Sequence, residues 1–94
     1  MRRLIVSPQA AADVDRLEQW LWDRGADEAA LGLAPLLTEA FDTLFGFPER
    51  GFVGRTPFFR HLVVPFGAGG YVIQYRVTAD AIVVARVRHS RERS

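Results

Sequence analysis

Three apolar runs crowd the second half of the chain: FFRHLVVPF, YVIQYRV and AIVVARVRH, separated only by GAGG and TAD. Each run is rich in β-branched and aromatic residues, the composition that fits a pleated, half-buried strand. Connections this short cannot carry a crossover, so neighbouring strands must run antiparallel and form a meander. The glycines of GAGG supply the positive φ that a tight hairpin turn demands. In the middle run Tyr71, Ile73, Tyr75 and Val77 share one face, and Val72, Gln74 and Arg76 the other. Strict alternation in the last run sets Val83, Ala85, Val87 and His89 against Ile82, Val84, Arg86 and Arg88. One face is therefore expected to be apolar and the other to bear arginines over neighbouring strands.

An apolar sheet face needs a cover, and the first half of the chain offers one. RLIVS reads as a short strand that stops at Ser7-Pro8. Serine there caps a helix whose first turn accepts proline without losing a needed hydrogen bond. Val14, Leu17 and Leu21 recur at helical spacing, with Asp13, Asp15, Glu18 and Asp23 on the remaining surface, which predicts a helix from Gln9 to Arg24, closed at Gly25. Asp27 is the expected cap of a second helix reaching Phe45, with Leu33, Leu37, Ala40, Phe41 and Leu44 as its apolar stripe. Pro35 either bends this helix or confines its regular part to the second half. FPERG ends the helical region. The expected architecture is α+β, in the order β-α-α-β-β-β: an N-terminal strand and a helical hairpin packed on a C-terminal antiparallel meander. With 94 residues the chain is expected to form a single domain over 1–94, because two cores would each bury too little apolar surface.

Composition narrows the chemistry. There is no cysteine, so neither a disulfide framework nor a thiolate nucleophile is available, which fits a reducing cytoplasm. The apolar stretch before Ser7 is too short for a signal-peptide core or a membrane span. Residues 1–50 carry five arginines against nine acids, and residues 51–94 carry seven arginines against two acids, a net of −4 against +5. A domain polarised in this way suits an anionic target, an acidic partner, or both. His61 and His89 lie on different predicted strands with no ligand spacing between them, so no metal site is expected. Neither serine-type catalysis nor a phosphate-cradling loop has its sequence context, and no cofactor is expected. Trp20 and Trp22, two residues apart on a helix, cannot both face the core. The remaining candidates are Arg60, Arg76, Arg86, Arg88, Arg91 and Arg93, whose ordinary role is a solvated sheet face and tail.

With these segments in order, the chain resembles the RelE/ParE superfamily of toxins from type II toxin-antitoxin systems. The likeness runs through SPQA leading into the first helix, FPERG, FRHLVVPF, GYVIQYRV and IVVARVRHSRE. Sequences of the ParE branch tend to end in an apolar strand holding an arginine, then histidine, a small residue and arginine, the places taken here by Arg86, His89, Ser90 and Arg91. The resemblance implies either of two activities. RelE-like members are ribosome-dependent mRNA endonucleases, and ParE-like members poison DNA gyrase by binding it. RelE-like enzymes usually carry two alternate basic residues in the strand matching FRHLVV and an arginine after the aromatic of GY. Here Arg60 fills the first place, while Leu62 and Val72 stand at the others, and no C-terminal tyrosine follows. The ParE-like reading is therefore preferred, with DNA gyrase as target, no catalytic residue, and Arg86, His89, Arg91 and Arg93 as target contacts. If the chain is instead a nuclease, Arg60, His89 and Arg91 are the candidate catalytic residues; a third alternative is an inactive relative that only binds its antitoxin. Direct nucleic-acid binding is left open. The second partner implied is a cognate antitoxin, whose acidic and apolar segment would fold along the helical hairpin at Trp20 or Trp22 or add a strand at a sheet edge.

Overall fold

The computed structural model describes residues 2–55, 57–67 and 69–91. Its elements are β1 (Arg3–Val6), α1 (Pro8–Asp23), α2 (Asp27–Gly46), β2 (Phe52–Val53), β3 (Arg60–Phe66), β4 (Gly69–Val77) and β5 (Ala81–His89). They form a five-stranded mixed sheet in the order β1-β5-β4-β3-β2, with two helices packed on one face. The expected meander is β3-β4-β5, antiparallel throughout. The two-residue β2, which strand patterning did not reveal, pairs antiparallel with β3. β1 joins the far edge parallel to β5, with Arg3 opposite Ala81 and Val6 opposite Val84. The Gly67 turn has φ +60°, the left-handed conformation foreseen for it.

Ser7 caps α1: its Oγ accepts from the Ala10 N–H at 3.0 Å, and Pro8 occupies the first turn. The second cap differs from expectation. Asp27 is the first helical residue, and Ala26 stands at the N-cap with no side-chain hydrogen bond. Asp27 and Glu28 instead place negative charge in the first turn, where the helix dipole favours it. α2 runs unbroken through Pro35. Proline strands the carbonyl four residues before it, that of Leu31, and both residues are exposed, so water can satisfy that group.

The core lies between the helices and one sheet face. Leu17 and Leu21 of α1, Leu33, Leu37 and Leu44 of α2, and Ile73 and Tyr75 of β4 belong to one buried cluster. In β5 the strict alternation fails. Ile82, Val84 and Val87 are all fully buried. A β-bulge causes this: Tyr75 lies opposite Val84 and Gln74 opposite Arg86, leaving Ala85 as an extra residue. The bulge reverses the phase of the strand, so the core face reads Ile82, Val84, Val87 and His89, and the open face reads Val83, Arg86 and Arg88. The expected split between apolar and arginine-bearing faces survives, with Ile82 and Val84 exchanged for Val83 and Ala85.

Candidate functional site

α1 ends beside the C-terminal end of β5, and the β3–β4 hairpin closes the third side of a groove of about 630 Å³. Its floor is apolar, from Leu17, Leu21 and Tyr71, all buried. Its rim holds Trp20, Arg24, His89 and Arg91. Helical spacing explains the first pair, because residues four apart lie one above the other. The Arg24 guanidinium sits 4.1 Å from the centroid of the Trp20 ring, a cation–π contact, and Trp20 remains 48% exposed. Trp22 points elsewhere, is also exposed, and does not line the groove.

His89 enters from the sheet. It lies opposite Tyr71, whose ring meets it edge to face with centroids 5.5 Å apart, and its centroid is 6.3 Å from that of Trp20. The Arg91 N–H donates to His89 Nδ1 at 3.1 Å, which orients the imidazole with Nε2 toward Gly69. Two expected target contacts, His89 and Arg91, and one expected antitoxin contact, Trp20, thus share one groove. Arg24 and Tyr71 complete it; the four-residue interval from Trp20 to Arg24 was the available signal for the former.

The other sequence candidates lie elsewhere. Arg86 grips Asp13 of α1 through two hydrogen bonds, Nε to Oδ2 at 2.8 Å and Nη2 to Oδ1 at 3.1 Å. Asp13 also accepts from the Val87 N–H at 2.9 Å, beyond the reach of β1, so this carboxylate closes the exposed edge of β5. Burial pushes the Asp13 carboxyl up. The Arg86 and Val87 hydrogen bonds, with the charges of Arg86 and Arg16, outweigh burial and hold it below the ordinary carboxylate value.

Arg60 sits at the opposite end of the sheet. Its guanidinium donates to the carbonyls of Glu49 and Gly51, at 3.2 and 2.9 Å. Beside it the buried Tyr75 hydroxyl donates to the Pro48 carbonyl and accepts from the Gly51 N–H, so both side chains fasten the segment between α2 and β2. Leu62 is buried in the core and Val72 faces the open side. A smaller pocket of about 270 Å³ on that side is lined by His61, Gln74, Arg86, Arg88, His89 and Ser90. Arg93 lies outside the described residues. Among the described residues no cluster of His, Asp and Glu could hold a metal ion, and no helix is long and apolar enough to cross a membrane.

Comparison with known proteins gives this geometry a lineage. The family model described as ParE toxin of type II toxin-antitoxin system, parDE, matches residues 4–94. Toxin RelE3 of Caulobacter vibrioides is 38% identical over 95 residues, covering 99% of each chain. Toxin RelE1 of the same organism is 41% identical over 90 residues, covering 95% of this chain and 94% of the relative. A solved structure described as the chromosomal ParDE TA system from P. aeruginosa superposes with a TM-score of 0.79 at 22% identity, over 95% of this chain and 96% of that one, and shows a common fold. By the family match and the two curated relatives, this chain belongs to the ParE/RelE family of toxins from type II toxin-antitoxin systems.

Proposed function

We propose that this toxin arrests growth by binding DNA gyrase, stabilising the state in which DNA is cut and not resealed, and that it does not cleave RNA. The observation that carries this reading is the dispersal of the nuclease candidates. Arg60 pairs in register with Tyr75, and His89 with Tyr71, four residues along the same strand. That offset alone is roughly 13 Å, and β4 lies between β3 and β5. Arg60 is further committed to the Glu49 and Gly51 carbonyls. A phosphoryl-transfer site needs its cations and base converging on one phosphate, and here only His89 and Arg91 meet while Arg60 stands apart. A binding poison needs only a presented surface, which the groove with His89 and Arg91 supplies.

Membership of a type II system implies a cognate antitoxin. We place its binding segment in the same groove, where an apolar floor beneath Arg24, His89 and Arg91 suits an acidic amphipathic segment. The groove is then shared between antitoxin and target, and neutralisation is direct occlusion. Arg86 belongs to this surface only indirectly, through the edge of β5 that it and Asp13 secure.

The names of the two Caulobacter relatives favour the second reading, ribosome-dependent mRNA cleavage. One experiment separates the two. Purified gyrase is assayed for supercoiling with toxin freed of antitoxin, scoring trapped cleaved plasmid. Trapped cleavage that antitoxin reverses, and that Arg91→Ala weakens, is the expected result. Intact supercoiling with folded toxin, together with mRNA cleavage on translating ribosomes, would refute the proposal. Harmless induction in a growth test would identify an inactive relative.

A further inference from the structure

The open face of the sheet is organised in ranks that cross the strands. Phe52 lies opposite His61, His61 opposite Gln74, and Gln74 opposite Arg86. The next rank holds Val63, Val72 and Arg88; on the other side Arg76 lies opposite Val83, and Val83 opposite Ile5. Two features set this face apart from an ordinary solvated sheet. None of its described strand positions carries a carboxylate, whereas the acids of the first half are on the helices, apart from Glu49 in the following loop. It also presents aromatic rings to solvent. Phe52 is 58% exposed while stacked on His61, with centroids 5.4 Å apart and planes inclined by 25°. Phe58 is equally exposed and carries the Arg76 guanidinium 4.3 Å from its centroid.

The rings are held in place. The edge of His61 packs so closely on Gly54 that a Cβ there would stand 2.6 Å from His61 Cε1, and His61 Nδ1 is buried with no hydrogen-bond partner among the described residues. Phe52 therefore rests on a fixed shelf. Arg88 makes no hydrogen bond or ion pair with another described residue, and its guanidinium is available to a ligand.

Exposed rings beside the guanidinium groups of Arg76 and Arg88 suit one kind of ligand: a single nucleic-acid strand, whose bases stack on rings and whose phosphates meet arginine. A duplex offers its stacked bases to no ring. From the Arg76 rank to the Arg88 rank the face spans roughly 13 Å along the strands, room for about four nucleotides at stacking distance. We propose that this face binds a single strand of DNA. The platform stands on the face itself; the choice of DNA over RNA rests on the gyrase reading, in which the toxin acts beside cut DNA.

Fluorescence anisotropy of a short labelled oligo(dT) with the full-chain toxin, freed of antitoxin, tests the proposal. Binding should be tighter than to a duplex of equal length and should weaken with salt. Phe52→Ala and Phe58→Ala should each reduce affinity roughly tenfold. Arg88→Ala should lower the steepness of the salt dependence by about 0.7 in the log–log slope. Circular dichroism should show all three variants folded, since these side chains lie outside the core. Folded toxin that ignores oligo(dT), rings whose loss changes nothing, or a dimer that buries both rings would each overturn the platform. Tighter binding to oligo(U) would overturn the assignment to DNA. Toxin that poisons gyrase yet binds no oligonucleotide removes the platform alone, whereas toxin that binds oligo(dT) and leaves supercoiling intact removes the gyrase reading alone.

Discussion

Asp13 shows how much one side chain can organise. It is the buried charged residue among those described, and it satisfies three donors, two on Arg86 and the Val87 N–H. Asp13→Ala would leave that backbone N–H buried and unpaired, while Arg86, with its side chain 38% exposed, could turn to water. The expected loss is about 2 kcal/mol in urea unfolding, and Asp13→Asn, which keeps an acceptor for Val87, should lose less. The pH dependence follows from the depressed carboxyl. Its folded pKa lies below the ordinary 3.8, so its stabilisation is complete above that value and disappears as pH falls through the folded pKa. Below about pH 4 the difference between wild type and Asp13→Asn should therefore shrink; a constant difference would show that the charge contributes nothing. The grouping of Asp13 with Asp15, Glu18 and Asp23 on the polar surface of α1 is overturned by its burial, 5% exposed, although the sequence did hold a sign of it. Asp13 recurs with Ala10, Leu17 and Leu21 on one helical stripe, and an acid on an apolar stripe asks for a buried partner. Its partner, 73 positions away, has no such mark.

The bulge in β5 is the element on which the surface depends. It turns Arg86 and Arg88 toward the open side while keeping Val87 in the core and His89 on the groove side. The first turn of α1 supports it, because Ser7 Oγ donates to the Ala85 carbonyl at 2.8 Å while accepting from the Ala10 N–H. Ser7→Ala removes a helix cap and that contact together, and should lower stability by about 1–2 kcal/mol. Hydrogen exchange would localise the effect: amides around Ala85 should exchange faster along with those of the first turn of α1. Protection lost in α1 alone would show that the bulge holds itself. Existence and type of the helices and of the four longer strands were legible because long periodic segments declare themselves. β2 was not, since two residues make no period, and the bulge was not, because one inserted residue reads as a mere change of phase. With Ala85 struck out, VVARVRH alternates in agreement with the structure. The parallel place of β1 depends on where the helical hairpin returns the chain, which local patterning does not encode.

At the scale of the whole molecule, the charge imbalance between the halves becomes a difference between layers, acidic helices over an arginine-bearing sheet, and the groove lies where the two meet. Of the expected contacts, those adjacent in space but distant in sequence, Trp20 with His89 and Arg91, could be nominated singly but not joined until the fold brought α1 against the end of β5. Their meeting makes the proposed occlusion testable. Trp20 is an exposed aromatic anchor backed by Arg24, the type of residue whose truncation costs an interface about 2 kcal/mol or more, roughly 30-fold in affinity. Trp20→Ala should weaken antitoxin binding by that factor in calorimetry and leave the toxin folded, since the side chain is only half-buried. It should also make toxicity harder to neutralise in a growth assay, provided the variant still reaches its target through His89 and Arg91. A direct check uses gyrase and antitoxin together: with one shared groove, saturating antitoxin must displace the toxin from gyrase. A stable ternary complex on size exclusion would mean that the antitoxin neutralises from another surface, and that Trp20 and His89 serve different partners despite their proximity.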